Sequence, residues 1–199
     1  MSAKHCGEHK RKKLHRRLFA ALLTIIIIIL FIILVIWLVL RPTKPRFALQ
    51  DATVTQFNVT SPNTLSSILQ VTLYSRNPND RIGIYYDRLL VYASYHNQQI
   101  TTSTVILPTY QGHEDINIWS PFLYGSSVPV SPYLTLSLEQ DQTVGFFLLS
   151  IKIDGRLKWK VGTWISGTYH LSVSCPAYMT YSSNNGIRLQ QPASCHVDV

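Results

Sequence analysis

The sequence predicts an all-β domain, an antiparallel β-sandwich, that follows a single N-terminal transmembrane helix. Three observations carry this prediction. A run of 23 residues near the N-terminus is almost wholly apolar, apolar and polar residues alternate through much of the remaining chain, and turn-forming residues separate the alternating runs. Alternation with a period of two is typical of strands with one buried face, and short strands between turns are typical of sandwiches.

Positive charge is concentrated in the first 17 residues. The chain of 199 residues carries 18 Lys and Arg against 10 Asp and Glu, but residues 1–17 hold seven of these bases and one acid. The rest of the chain has a net charge of only +2. Because a nucleic-acid-binding domain carries its charge on the folded surface, we expect no nucleic-acid partner. We expect the region Lys10–Arg17 to contact anionic lipid of the cytosolic leaflet.

Residues Leu18–Leu40 form the predicted transmembrane segment, in which Thr24 is the one polar residue. At about 1.5 Å per residue a helix of this length covers about 34 Å, which exceeds a hydrocarbon core of about 30 Å. The run is longer than the core of a signal peptide, and no small-x-small cleavage site follows it. We therefore expect an uncleaved signal anchor.

The charges on the two sides of the span predict its orientation. Seven Lys and Arg precede it and three follow it closely, so the positive-inside rule places the N-terminus in the cytosol. The predicted organisation is a basic cytosolic tail over residues 1–17, the anchor over 18–40, a Pro-containing linker over 41–46 and an extracellular domain over 47–199.

Two covalent features agree with this orientation. Cys175 and Cys195 fall in the predicted extracellular domain, where disulfides persist, and a bond between them would stabilise the fold by about 3 kcal/mol. Two unpaired buried thiols are the alternative. Asn58 begins the N-glycosylation acceptor Asn-Val-Thr. Cys6 lies on the cytosolic side, where we expect an unmodified thiol.

The alternating runs predict which side chains face the core. These are Leu89, Val91, Ala93 and Tyr95 in one run, Phe147, Leu149, Ile151 and Ile153 in a second, and Leu157, Trp159 and Val161 in a third. The predicted turns are Asn77–Asp80, His96–Gln98, Gly125–Ser127, Asp154-Gly155 and Asn184–Gly186. A short helical turn is predicted near Ser137–Gln142.

The Asp154-Gly155 turn predicts a hairpin with a definite register. A three-residue loop would pair Ile151 with Leu157 and keep the apolar side chains of both strands on one face, whereas a two-residue loop would not. We therefore predict the three-residue form, with Gly155 in the left-handed conformation.

Four basic residues share one face in this register: Lys152, Arg156, Lys158 and Lys160. The pattern is typical of the solvated outer face of a sheet. A face that binds anionic lipid headgroups or an acidic wall polysaccharide is the alternative.

No residue pattern indicates catalysis. The sequence contains no G-x-S-x-G, no H-E-x-x-H, no C-x-x-C and no P-loop. The densest ionisable cluster, His113-Glu114-Asp115, is interpreted as a loop, with a cation site or an acid–base group as the alternative. We therefore expect no catalytic residue, no metal and no cofactor.

Three motifs give the sequence a family resemblance. They are NPNDRIGIYYD at Asn77–Asp87, YQGH at Tyr110–His113 and WKVGTW at Trp159–Trp164. With the basic tail and the single span, they resemble the plant NDR/HIN-like family, membrane-anchored proteins with a late-embryogenesis-abundant group 2 domain. The resemblance implies a small sandwich similar to fibronectin type III, no catalytic residues, and a role in pathogen defence or abiotic stress at the plasma membrane or plasmodesmata.

The motif residues also have structural interpretations. Pro and Asn are typical turn residues, neighbouring tyrosines on a strand point to opposite faces, and Asp87 would brace the loop that follows it. We assign structural roles to Asn77, Pro78, Asn79, Tyr85, Tyr86, Asp87, Trp159 and Gly162.

The sequence therefore predicts a non-enzymatic, single-pass plasma-membrane protein of plant defence or stress response. Its extracellular domain would bind a protein or cell-wall partner, or join the membrane to the wall. The alternative is a stress-protectant domain that is tethered to a membrane and needs no specific partner. The chain contains no Arg-Gly-Asp or Asn-Gly-Asp tripeptide, so it carries no sequence signal for the integrin-like adhesion that the resemblance suggests.

Overall fold

The computed structural model describes the backbone of residues 3–39, 42–60, 63–182 and 186–199. The chain forms two compact units, Met1–Arg41 and Pro42–Val199. The first contains helix α1 (Ala3–Val39), in which His15–Val35 has a mean hydropathy of 3.5 and is long enough to cross a membrane. The Thr24 hydroxyl donates a hydrogen bond to the Ala21 carbonyl at 2.8 Å, so the polar side chain of the apolar run is satisfied within the helix.

The second unit consists mainly of strands. In the described part of the chain they are β1 (Arg46–Thr60), β2 (Thr64–Arg76), β3 (Gly83–Tyr95), β4 (Gln98–Gln99), β5 (Thr104–Ile106), β6 (Thr109–Gln111), β7 (Ile116–Trp119), β8 (Phe122–Pro129), β9 (Phe146–Val161), β10 (Trp164–Ile165), β11 (Tyr169–Ser182), β12 (Gly186–Leu189), β13 (Ala193–Ser194) and β14 (His196–Asp198). Helix α2 (Pro132–Val144) lies between β8 and β9.

The strands form one curled antiparallel sheet. Its main path runs β4-β3-β9-β11-β12-β1-β2-β7, and the remaining short strands pair with members of that path. The curl brings β1 over β3 and β9, as the ring centroids of Phe47 and Tyr86 lie 6.1 Å apart and those of Phe57 and Phe147 lie 5.5 Å apart. The predicted antiparallel β fold is confirmed. The comparison with fibronectin type III is loose, because β12 joins the two layers into one continuous sheet.

The predicted period-two alternation is confirmed in the core. The first two sets of predicted core side chains are each at most 1% exposed: Leu89, Val91, Ala93 and Tyr95 of β3, and Phe147, Leu149, Ile151 and Ile153 of β9. Leu157 and Trp159 are buried as well, and Val161 is partly buried against the core.

Helix α2 is longer than the short turn that the sequence predicts. The Ser131 hydroxyl caps its first turn by accepting a hydrogen bond from the Leu134 N–H at 3.3 Å. Gly145 ends the helix at φ 80°, a left-handed conformation that glycine adopts without strain. Leu134 and Leu138 bury the inner side of the helix.

The predicted hairpin at Asp154-Gly155 is wrong, because β9 continues through both residues. Gly155 pairs with Leu89 of β3 on one side and with Leu171 of β11 on the other. A Cβ atom on Gly155 would collide with the Arg88 carbonyl oxygen and lie 2.6 Å from Cδ2 of Leu89. The glycine therefore marks a close approach of two strands rather than a turn.

The other predicted turns have mixed outcomes. Asn77–Asp80 joins β2 to β3, and His96–Gln98 contains the tight turn to β4, so both are confirmed. Gly125–Ser127 lies inside β8, where a Cβ on Gly125 would collide with the Ile100 carbonyl oxygen. Gly125, like Gly155, therefore lies where two backbone segments approach closely. The predicted turn at Asn184–Gly186 lies largely outside the described residues.

A disulfide between Cys175 and Cys195 holds the C-terminal segment on the sheet. Cys175 is fully buried in β11, and the Cys195 N–H donates a hydrogen bond to the Phe47 carbonyl of β1 at 3.0 Å. The C-terminal segment therefore contacts both β11 and β1, on either side of the short strand β12.

Replacing Gly155 with Ala should destabilise the β domain. The added methyl group meets backbone in the middle of the sheet, and overpacking of this kind costs about 1–3 kcal/mol. The measurement is urea-induced unfolding of the full chain in detergent micelles, followed by tryptophan fluorescence. Gly167→Ala is the matched control, since a Cβ there meets nothing within 4 Å. Equal unfolding midpoints for the two variants would contradict the close approach.

Candidate functional site

The Asn77 side chain fastens the β2–β3 loop to its surroundings from a fully buried position. Its Nδ2 donates hydrogen bonds to the carbonyls of Ile82 at 2.7 Å and Gly112 at 2.8 Å. Its Oδ1 accepts a hydrogen bond from the Asn79 N–H at 3.1 Å, the local bond that makes Asn a turn residue. The predicted structural role of Asn77 in a turn is thus accounted for by hydrogen bonds.

Asn79 attaches the predicted linker to the domain. Its Oδ1 accepts a hydrogen bond from the Thr43 N–H at 2.8 Å, and its Nδ2 donates one to the Thr43 carbonyl at 2.8 Å. Asn79 is only 6% exposed, and Pro45 is buried. The chain is therefore fixed to the domain from Thr43 onward, before the first strand begins.

A buried cluster of hydroxyl and amide groups lies beside this loop. The Tyr86 hydroxyl donates a hydrogen bond to Oε1 of Gln111 at 2.9 Å and lies 3.1 Å from the Ser75 hydroxyl. Nε2 of Gln111 donates to the carbonyls of Ser75 at 2.9 Å and Asp115 at 3.0 Å. Burial raises the pKa of Tyr86, so its hydroxyl stays protonated and donates. Satisfied buried polar networks specify one core packing.

The remaining motif residues divide between core and surface. Tyr86 faces the core and Tyr85 faces outward. Asp87 is exposed within β3, which continues to Tyr95, so it precedes no loop and the bracing role predicted for it is wrong. Trp159 is 5% exposed in the core. Gly162 has a φ of 57° in the turn between β9 and β10, where a left-handed residue is required.

The predicted glycosylation position and the ionisable cluster both lie on the surface. Asn58 is exposed on β1. His113, Glu114 and Asp115 form an exposed loop, in which the Asp115 carboxylate accepts hydrogen bonds from the N–H groups of Gly112 at 3.3 Å and Ile116 at 2.8 Å. Within the residues that the structure describes, no group of three or more His, Cys, Asp or Glu side chains is arranged to hold a metal ion.

The outer surface of the sheet carries a row of cations. The Lys and Arg residues of β9 occupy alternate positions whose neighbours are buried, so the shared face predicted from the sequence is correct although the predicted hairpin is not. Arg88 of β3 lies on the same surface. We call these five residues the basic face: Arg88, Lys152, Arg156, Lys158 and Lys160.

A β-bulge at Asp87 determines which residue of β3 faces Arg156. Tyr86 pairs with Leu157 and Arg88 pairs with Arg156, so the register omits Asp87. Without the bulge, Asp87 would face Arg156 and form a pair of opposite charges. The bulge instead places two arginines directly across from each other. Sequence reasoning missed Arg88, because no residue pattern near it distinguishes a bulge from a regular strand.

A groove of about 360 Å³ opens between these strands. It is lined by Asp87, Arg88, Leu90, Asp154, Gly155, Arg156 and His170. Nε2 of His170 lies 3.0 Å from Oδ1 of Asp154, so one of the two carboxylates of the groove already has a partner. The groove therefore brings together two guanidinium groups and two carboxylates, and within the described residues neither arginine forms an ion pair.

Aromatic rings flank the basic face. Tyr85 pairs with Lys158 across the strands, and Tyr92 pairs with Lys152. The ring centroids of Tyr85 and Tyr110 lie 4.6 Å apart, and Nζ of Lys160 lies 5.0 Å from the Tyr110 centroid. Nζ of the half-buried Lys160 also donates a hydrogen bond to the Tyr85 hydroxyl at 3.4 Å, so this lysine lies close to both rings.

Comparison with known proteins relates the chain to late embryogenesis abundant and NDR1/HIN1-like proteins of plants. Residues 72–175 match the family model LEA_2, late embryogenesis abundant protein. The chain is 53% identical to NDR1/HIN1-like protein 1 of Arabidopsis thaliana over 96% of both chains. It is 40% identical to NDR1/HIN1-like protein 26 of Arabidopsis thaliana, over 92% of this chain and 88% of that one. The solution structure of a late embryogenesis abundant protein aligns with 71% of this chain and 74% of that chain at 13% identity, with a TM-score of 0.36.

Replacing Asn79 with Ala should release Thr43 from the domain. The Thr43 N–H loses its acceptor and its carbonyl loses its donor, so we expect amide exchange at Thr43 to accelerate at least tenfold. The measurement is hydrogen–deuterium exchange of the full chain in micelles. Asp80→Ala removes an exposed neighbouring side chain and serves as the control. Unchanged protection of Thr43 in the Asn79 variant would contradict the attachment.

Proposed function

The chain belongs to the LEA_2 family of late embryogenesis abundant proteins, among its NDR1/HIN1-like members, and we propose that it holds an extracellular binding domain at the plasma membrane during plant defence or stress responses. The observation that carries this proposal is the combination, in one chain, of an apolar helix long enough to span a bilayer and a β domain with a disulfide.

The exposed apolar surface of α1 supports membrane anchoring. Its segment His15–Val35 is about 32 Å long at about 1.5 Å per residue, close to the thickness of a bilayer core. Large side chains along it are exposed, including Phe19 at 66%, Leu30 at 60% and Phe31 at 65%. Such a surface is unfavourable in water and favourable in lipid.

The charges and the disulfide support an outward-facing domain. Lys and Arg are concentrated before the span, which favours a cytosolic N-terminus. Disulfides persist in oxidising compartments and are rare in the cytosol, so the Cys175–Cys195 bond favours the outer side of the membrane.

The distribution of polar groups supports binding as the molecular role. The motif amides of Asn77 and Asn79 are buried and fully used inside the domain. The basic face is outside, and its arginines have no ion-pair partner within the described residues. The surface on β3 and β9 is therefore the best-supported place for a ligand.

A C-terminal tag on the full chain should be digested by protease added to intact plant protoplasts. An N-terminal tag on the same chain is the matched control and should be protected until detergent is added. Non-reducing electrophoresis of the same samples should show Cys175 and Cys195 oxidised. A protected C-terminal tag with free thiols would place the domain in the cytosol and favour the stress-protectant alternative.

Asn58 should carry an N-glycan if the domain passes through the secretory pathway. Asn58→Gln and Thr60→Ala each destroy the acceptor sequence and should abolish a glycosidase-sensitive mobility shift of the expressed protein. Thr55→Ala on the same strand keeps the acceptor and should retain the shift. A chain without any glycosidase-sensitive shift would contradict this prediction.

A further inference from the structure

Arg88 and Arg156 face each other across β3 and β9, an arrangement that a sheet ordinarily avoids. Like charges in directly opposite positions destabilise strand pairing, and a regular register would have opposed Asp87 to Arg156 instead. In the part of the chain that the structure describes, neither guanidinium has an ion pair or a side-chain hydrogen bond. Because β-bulges re-aim side chains at binding sites, this pair has the geometry of an anion site.

We propose that the basic face binds an extended acidic polysaccharide. Carboxylates of the polymer contact the Arg88–Arg156 pair and the lysines of β9, and its sugar rings pack on the neighbouring tyrosines. The inference rests on the proposed function, because a polymer of this kind meets the domain only outside the cell.

Guanidinium groups suit a carboxylate ligand better than the point charge of a lysine ammonium group does. A guanidinium group presents parallel N–H donors that match the two oxygens of a carboxylate. Gly155 contributes only backbone to the lining of the groove. Asp154 contacts His170, and within the described residues neither carboxylate of the groove forms an ion pair with Arg88 or Arg156.

The row of cations fits a linear polymer. Lys152, Arg156, Lys158 and Lys160 lie on one extended strand, where alternate side chains are about 7 Å apart at about 3.3 Å per residue. From Lys152 to Lys160 the row extends for about 26 Å, far more than a single phosphate or carboxylate covers. Asp154 interrupts the row once, next to the groove.

The tyrosines beside this row favour a polysaccharide over a bilayer. Tyr85 and Tyr92 lie directly across from Lys158 and Lys152, and Tyr110 packs beside Tyr85 and Lys160. The electron-rich face of a tyrosine ring attracts the C–H side of a sugar ring. A bilayer is bound instead by apolar side chains that insert below the headgroups. Trp164 and Ile165, both exposed on β10 beside the end of β9, offer contacts of that kind, so anionic vesicles form the second arm of the test.

The test uses the full chain in phosphatidylcholine nanodiscs. Lys10, Arg11, Lys12 and Lys13 are replaced by Gln throughout, so that the basic tail does not capture the probe. The probes are de-esterified polygalacturonate, its fully methyl-esterified and uncharged form, and vesicles that contain phosphatidylserine. We expect binding to polygalacturonate that weakens with added salt, and no binding to the esterified polymer.

A matched pair of double variants locates the site. Arg88→Gln with Arg156→Gln should weaken polygalacturonate binding at least tenfold. Arg46→Gln with Arg76→Gln removes another cross-strand arginine pair, at the ends of β1 and β2, and should change binding less than twofold. Removing the Arg88–Arg156 repulsion should also leave the unfolding temperature unchanged or higher, so weaker binding cannot be ascribed to lost structure.

Three results would overturn the inference: no binding of polygalacturonate, equal losses in the two double variants, or binding that is confined to the vesicles. The last would assign the basic face to lipid. The outcome is independent of the protease experiment on protoplasts. A digested C-terminal tag without polygalacturonate binding removes only this inference, whereas a protected tag removes the proposed function even if the isolated chain binds the polymer.

Discussion

Strand β9 forms backbone hydrogen bonds with a neighbouring strand on each side, and the pairing with β3 brings the backbone of that strand very close to Gly155. β3 pairs with it from Gly83 to Ser94, and β11 pairs with it from Tyr169 to Thr180. At Gly155 the neighbouring backbone comes so near that no Cβ fits. β9 is continuous from Phe146 to Val161, and its alternate residues from Lys152 to Lys160 share one outer face.

The bulge at Asp87, opposite Arg156 and Leu157, replaces a favourable charge pair. A regular register would place Asp87 against Arg156, and the observed one places Arg88 there. Local rules for stable sheets are most often broken where a protein has a function to perform. The bulge therefore creates a pair of like charges on the outer surface, as the register of β1 and β2 does for Arg46 and Arg76.

In the family motif Asn77–Asp87, the side chains of Asn77, Asn79 and Tyr86 are buried inside the domain. The side-chain amides of Asn77 and Asn79 donate hydrogen bonds to backbone carbonyls of three separate segments. Nearby, the Tyr86 hydroxyl donates a hydrogen bond to Gln111 in the core. The motif therefore stabilises the fold and the attachment of the chain at Thr43, whereas the alternate side chains on the outer face of β3 and β9 lie outside the core.

The apolar helix, the antiparallel class and the buried sets of β3 and β9 could be predicted from the sequence, because these features depend on local periodicity along one chain. The sequence also placed Lys152, Arg156, Lys158 and Lys160 on one face, since alternation along one strand needs no partner. The tertiary structure was needed to show that Gly155 and Gly125 lie at close approaches of the backbone rather than in turns. The atoms that would collide with a Cβ belong to segments distant in the sequence. Arg88 was missed for the same reason. A register shift is a property of two paired strands, and the sequence of β3 or β9 alone does not show it.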